Sequence, residues 1–242
     1  MKKLIIFDLD GTLAESKSKM DIEMSGLFSA LLLKKEVAVI SGGAYKQFQN
    51  QFLGSLRCED KRLEKLHLFP TCSTSFYRFD GGQWNCVYKE YLSDDEKIKI
   101  TKALEVALPL GGYVPPEQIF GELVEDRETQ ISFSALGQQA PSEVKKTWDP
   151  SGQRRLLIKK FLDPMLPDFE VRVGGATTID ITRKGIDKAY GIKQMEKHLG
   201  FSKAEMLYIG DALFPGGNDY PVQEAGVDCI LVRGPEDTKI EI

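Results

Sequence analysis

Cysteine, histidine and tryptophan are sparse in this chain of 242 residues, and each scarcity removes a class of chemistry. The four cysteines, Cys58, Cys72, Cys86 and Cys229, lie far apart and form no CxxC pair, which argues against a zinc site or a dithiol centre. They read as reduced, structural thiols of a cytoplasmic protein. The two histidines, His67 and His198, support no serine or cysteine triad. The two tryptophans, Trp84 and Trp148, are isolated and make no platform for stacked bases. Positive charge is not in excess: the net charge is -4, which speaks against a nucleic-acid partner. No apolar run approaches a membrane span, and the one near the start is too short for a signal sequence and carries two aspartates. There is no internal repeat. Hydrophobic content of 42% and charged content of 28% are ordinary for a globular protein, and the length suits one large domain or two modest ones.

What is present begins with Leu4-Ile5-Ile6-Phe7-Asp8-Leu9-Asp10-Gly11-Thr12. Apolar residues without alternation predict a strand buried on both faces of a parallel sheet. Two carboxylates follow at its exit, where a buried charge needs a partner or a metal. Val37-Ala38-Val39-Ile40 reads as a second buried strand, ending in Ser41-Gly42-Gly43 before a helix expected from Ala44 to about Phe52. A hydroxyl and glycines between strand and helix expose backbone amides to an anion. Met206-Leu207-Tyr208-Ile209 is another apolar run, ending in Gly210-Asp211, and a glycine-rich loop with Asn218 and Asp219 follows. Before Lys184 the signals are those of an α+β unit with a mainly antiparallel sheet. The fold class read from this order is α/β: a Rossmann-like parallel-sheet core with an inserted α+β cap. The core is expected at residues 1–84 and 184–242, and the cap at 85–183.

Three apolar strands thus each end in a residue suited to phosphate or metal: Asp8 with Asp10, Ser41, and Asp211. Ligands of open parallel sheets bind at the carboxyl ends of strands. Converging aspartates suggest Mg²⁺, which takes a few carboxylates plus waters and substrate oxygens. A carboxylate can also accept a phosphoryl group covalently, and a lysine would neutralise that group.

These motifs, completed by Lys188, resemble the haloacid dehalogenase superfamily of phosphotransferases. The resemblance implies Asp8 as nucleophile, Asp10 as acid/base, and Ser41 and Lys188 as holders of the phosphoryl group. It implies Mg²⁺ held by Asp8, Asp211 and the backbone carbonyl of Asp10, with Asn218 and Asp219 just outside and Asp219 orienting Lys188. Lys184 competes for the lysine role. Lys188 is preferred because it follows Gly185 by three places, as in the family pattern.

Within that superfamily, Pro215 to Asp219, Pro235 to Thr238, Gly174 to Asp180 and Asp187-Lys188 resemble the eukaryotic-type phosphomannomutases. The resemblance implies sugar contacts from Thr178 and Asp180, and phosphate contacts from Lys17 and from the loop containing Gly42. It implies three arginines for the distal phosphate in the cap, which should close as a lid over the core. Here Arg127 keeps one, Gln138 replaces another and Lys145 replaces the third. Gln138 carries no charge, and lysine lacks the bidentate fork of arginine. The expected function is therefore a Mg²⁺-dependent phosphatase of a small phosphorylated sugar, working through an aspartyl phosphate. Phosphomannomutase is the alternative, and a catalytically silent binding protein on the same fold a second one. No nucleic acid or membrane partner is expected; a homodimer is an allowed assembly.

Overall fold

A computed structural model describes residues 1–16 and 18–242; Lys17, expected to touch substrate phosphate, lies outside the described residues. The chain divides into two compact units, Met1–Lys89 with Ile186–Ile242, and Glu90–Gly185.

The first unit begins with β1 (Leu4–Asp8), α1 (Ile22–Lys34), β2 (Glu36–Ile40), α2 (Tyr45–Phe48), α3 (Asp60–Leu63), β3 (Leu66–Phe69), a one-turn segment α4 (Pro70–Ser73), β4 (Ser75–Asp80) and β5 (Gln83–Lys89). The second unit contains α5 (Asp94–Leu110), β6 (Val124–Asp126), β7 (Ile131–Ser134), α6 (Ser142–Trp148), α7 (Gln153–Met165), β8 (Phe169–Gly174) and β9 (Thr178–Arg183). The chain then completes the first unit with α8 (Lys188–Leu199), β10 (Met206–Gly210), α9 (Tyr220–Glu224), β11 (Asp228–Leu231) and α10 (Pro235–Glu241).

The first sheet runs β11-β10-β1-β2-β3-β4-β5. Its five strands from β11 to β3 pair in parallel, while β4 and β5 are antiparallel additions. Alternation sends Ile5, Phe7, Val37 and Val39 to one face, with Met24 and Phe28 of α1. Leu4, Ile6, Ala38 and Ile40 go to the other, with Ile192 and Met195 of α8. Both faces are covered, which is why these strands read as unbroken apolar runs. The boundary expected at residue 85 falls inside β5, whose ladder with β4 keeps Asn85 to Lys89 in the first unit. At the other end the second unit runs to Gly185, beyond Arg183.

The second sheet, β6-β7-β9-β8, is antiparallel throughout. Ile131, Phe133, Val171, Ile179 and Ile181 face Ile100, Leu104, Ile158 and Leu162 of α5 and α7. The opposite face carries Glu125, Ser132, Arg172 and Asp180, placed side by side by the strand register.

Several local expectations change. The helix expected from Ala44 to Phe52 is α2 followed by a π-helical turn at Gln49–Leu53. In α10 Pro235 occupies the first turn and so initiates the helix instead of breaking it. Along α7 Arg154 is exposed, whereas Arg155 turns inward, 5% exposed and paired with Asp149 at 2.9 Å.

The segment α4 carries Thr71, Cys72 and Ser73 at φ of 48, 53 and 69°, the left-handed region that costs an L-residue about 1–2 kcal/mol. Ser73 is fully buried, and its Oγ has no partner among the described residues. Ser73→Gly removes both penalties at some cost in unfolded-chain entropy. It should stabilise the fold by about 1 kcal/mol, raising the thermal midpoint by roughly 2–4 °C. A calorimetric scan checks this.

α5 opens with a capping box of Ser93 and Glu96. Glu96 also takes a two-point ion pair from Arg183, at 2.8 and 2.7 Å. The Arg183 hydrogen bonds pull its pKa from 4.5 to about 2. Because the folded value is depressed, the contribution is complete above pH 4.5 and is lost as pH falls toward 2. The stability gap between wild type and Glu96→Gln, measured by urea unfolding, should close across that window.

Candidate active site

Parallel pairing aligns the carboxyl ends of three strands. Asp8 lies opposite Ile40, so Ser41 follows at the same edge; Phe7 lies opposite Ile209, so Gly210 and Asp211 follow there too. Two glycines make the approach possible. A Cβ on Gly11, at φ +84°, would collide with the carboxylate of Asp211, whose Cγ would be 2.9 Å away. A Cβ on Gly210 would sit 2.7 Å from the Tyr208 ring and 2.8 Å from Asp219 Cγ.

Lys188 is the first residue of α8, behind the N-cap Asp187, whose carboxylate accepts from the Tyr190 amide. Its ammonium is 1% exposed and donates to Asp8 Oδ1 at 2.5 Å, Asp219 Oδ1 at 2.5 Å and the Tyr208 hydroxyl at 3.1 Å. Burial opposes its charge, but Asp219 and Asp8 overcome this and hold it protonated well beyond the lysine range. Lys184, the competing residue, belongs to the second unit, where its ammonium donates to the Pro167 carbonyl at 3.5 Å.

Asp8, Asp211 and Asp219 each offer an oxygen within 4.8 Å of the others. Burial, then the charges of Asp219 and Asp211, raise the Asp8 carboxyl well above its usual range, against the pull of Lys188. Burial and Asp219 push Asp211 to about 6. Such mutual repulsion is what a hard divalent cation relieves, and the all-oxygen donor set suits Mg²⁺. Both Asp219 oxygens are already engaged, one by Lys188 and by Tyr208 at 2.5 Å, the other by the Ala212 amide at 3.0 Å. Asn218, grouped with Asp219 in sequence, is exposed on its loop.

The Ser41 hydroxyl accepts from the Gly43 amide at 3.0 Å, folding the Ser41–Gly43 loop. The left-handed α4 grips that loop from behind: the Thr71 amide donates to the Gly43 carbonyl and the Cys72 amide to that of Ser41, both at 2.9 Å. Asp10 is held by two amides that sequence reading missed. Gln47 Nε2 lies 2.8 Å from Asp10 Oδ2, and Gln51 Nε2 lies 3.0 Å from Oδ1. Their i, i+4 spacing just after the glycine loop was the available signal.

The expected cap residues gather in the second unit. Arg127 donates to Glu125 at 2.7 Å and to Gln138 Oε1 at 3.4 Å, and lies 3.7 Å from Asp180. Lys145 donates to the Gln138 carbonyl at 3.1 Å, and Ser132 to Asp180 at 2.6 Å. Thr178 is two residues before Asp180 on β9, hence on the same face. Arg172, unremarked in the sequence, lies directly across from Asp180 and adds a cation to this face. Buried Arg155 donates to the carbonyls of Gly174 and Gly175, tying down the turn that leads to Thr178.

Comparison with known proteins agrees with this geometry. The family model of eukaryotic phosphomannomutase matches residues 27–242. The phosphomannomutase of Encephalitozoon cuniculi is 26% identical over 251 residues, covering 98% of this chain and 91% of that protein. That of Schizosaccharomyces pombe is 25% identical over 250 residues, covering 100% and 93%. Among solved structures, an N-terminally truncated IMP-nucleotidase of Plasmodium falciparum superposes with a TM-score of 0.74 at 19% identity, covering 99% of this chain and 68% of that one. A haloacid dehalogenase-like hydrolase of Bacteroides thetaiotaomicron gives 0.65 at 13% identity, covering 100% and 98%. These likenesses establish the fold.

Removing the buried ammonium leaves Asp8 and Asp219 uncompensated. Lys188→Met should cost about 3–5 kcal/mol of stability, the usual penalty for breaking a buried pair from one side. Urea denaturation without added metal measures it.

Proposed function

The chain belongs to the eukaryotic phosphomannomutase family, and from that premise we propose that it moves a phosphoryl group between two positions of a hexose phosphate through Asp8. The observation that carries the proposal is the contact of Lys188 with Asp8 at 2.5 Å, at an edge shared with Ser41, Asp10 and Asp211. The first unit is the catalytic one and the second confers substrate specificity.

In this reading Asp8 attacks phosphorus in line. The bond from phosphorus to the sugar oxygen breaks, and Asp10 gives that oxygen a proton. Gln47 and Gln51 fix the Asp10 carboxyl in place, Lys188 offsets charge on the nucleophile and the phosphoryl group, and the Ser41–Gly43 loop supplies hydrogen-bond donors. Asp8 and Asp211 would hold Mg²⁺, with Asp219 as an outer partner; when bound it supplies charge neutralisation at the phosphoryl oxygens. In the return step a free hydroxyl at the other end of a hexose monophosphate takes the phosphoryl group from Asp8 while Asp10 accepts its proton, and the bisphosphate so formed gives its other phosphoryl group to Asp8, which closes the cycle.

Transfer requires a second anion-binding set for the phosphate that is not reacting. Arg127, Lys145 and Arg172 supply three cations in the second unit, so the uncharged Gln138 does not leave it short of positive charge. The mutase reading is therefore preferred over the phosphatase expected from the sequence alone. Hydrolysis is the second reading, favoured by one observation: Gln138, at a position expected to bear an arginine, spends its amide on the Ser132 carbonyl at 3.3 Å.

Product analysis on mannose 1-phosphate and glucose 1-phosphate, with a hexose bisphosphate activator and Mg²⁺, separates the two. The expected outcome is conversion to the 6-phosphates faster than release of inorganic phosphate. Faster phosphate release would make the protein a phosphatase. Asp8→Asn should abolish nearly all turnover in either case while leaving the circular dichroism spectrum unchanged.

A further inference from the structure

The Tyr208 hydroxyl has no part in the roles assigned above, yet it is built into the same cluster. Tyr208 is fully buried on β10, inside an otherwise apolar run. It donates to Asp219 Oδ1 at 2.5 Å and accepts from Lys188 Nζ at 3.1 Å. Lys188 also donates to that same Oδ1, so Tyr208, Asp219 and Lys188 close a ring of hydrogen bonds. The other Asp219 oxygen is held by the Ala212 amide, next to Asp211, so the ring is fixed to the backbone.

An ammonium has three N–H groups, and here they go to Asp8, Asp219 and Tyr208. With only the two carboxylates as partners, a flexible four-carbon stem could swing the ammonium about the line joining them. The third partner defines its direction. The local sequence accommodates this: Gly210 has no side chain where a Cβ would meet both the Tyr208 ring and Asp219.

We propose that Tyr208 is a positioning residue for phosphoryl transfer, its hydroxyl fixing the Lys188 ammonium against Oδ1 of the nucleophile Asp8. The proposal rests on the phosphoryl-transfer reading given above. A positioned cation matters most as charge redistributes in the transition state, so the hydroxyl acts on the rate of the chemical step more than on binding.

Tyr208→Phe deletes the hydroxyl and keeps the ring, with Tyr208→Leu as a control for lost packing. For Tyr208→Phe, kcat per folded molecule should fall roughly tenfold, the low end of what removing an outer hydrogen-bond partner does, with KM within about twofold. A second readout needs no turnover. In protein labelled with ¹⁵N-lysine, the Lys188 ammonium, assigned with Lys188→Met, should give a slowly exchanging resonance that broadens or disappears in Tyr208→Phe. An unchanged kcat, a change confined to KM, a fall no larger than the loss of folded protein, or an unchanged ammonium resonance would each overturn the assignment. Absence of turnover in the wild type would count against the phosphoryl-transfer reading alone, because the resonance still decides the role of Tyr208.

Discussion

The first unit depends on one buried cation. An ammonium removed from water costs several kcal/mol unless it is paired and hydrogen-bonded, and Lys188 meets that demand with two carboxylates and a hydroxyl. Much of the local sequence serves the contact. The Asp187 cap starts α8 at the lysine itself, the parallel register brings β1 and β10 to the same edge, and Gly11 and Gly210 clear the space that the acidic groups occupy. The cost of the arrangement is an excess of negative charge, visible in the raised Asp8 and Asp211 carboxyls. A cluster so unfavourable without a counter-ion is better explained by cation and phosphate chemistry than by fold stability.

Backbone strain supports the same edge. Three consecutive residues in the left-handed region are unfavourable for L-amino acids, but their amides restrain both ends of the Ser41–Gly43 loop. The strain is borne by a rigid surround: Pro70 and Ser73 are buried, and the Ser73 carbonyl accepts from the Tyr88 hydroxyl. Held at both ends, the loop keeps its Ser41 amide on the Phe69 carbonyl and its Gly43 amide on the Ser41 hydroxyl.

The second unit uses a different economy. One face of its sheet is apolar and lies on α5 and α7; the other collects opposed charges that neutralise one another in place. Arg127, Asp180, Ser132 and Gln138 form a connected set in which each group already has a partner. A polyhydroxylated anion can enter such a set by exchanging hydrogen bonds, with little net desolvation of bare charge. That fits recognition of a phosphorylated sugar better than it fits a purely structural face.

Sequence by itself determined the parts governed by local rules. The apolar runs of β1, β2 and β10, the glycine beside each of the three strand ends and the order of the motifs were all legible, because strand burial and turn chemistry act over a few residues. So were Asp8, Asp10, Ser41 and Asp211 as candidates, since each lies at or just beyond a strand end, whereas Lys188 was singled out by the family pattern that places it three residues after Gly185. Tertiary structure alone decided which groups share a partner. Gln47 and Gln51 meet Asp10 across about forty residues, Tyr208 meets Lys188 across twenty, and Arg172 meets Asp180 only through the β8–β9 register. Helical spacing says nothing about what lies opposite Arg155; its burial follows from Asp149 and the Gly174–Gly175 carbonyls. Periodicity fixes the face a side chain occupies, and packing between distant segments fixes what it finds there.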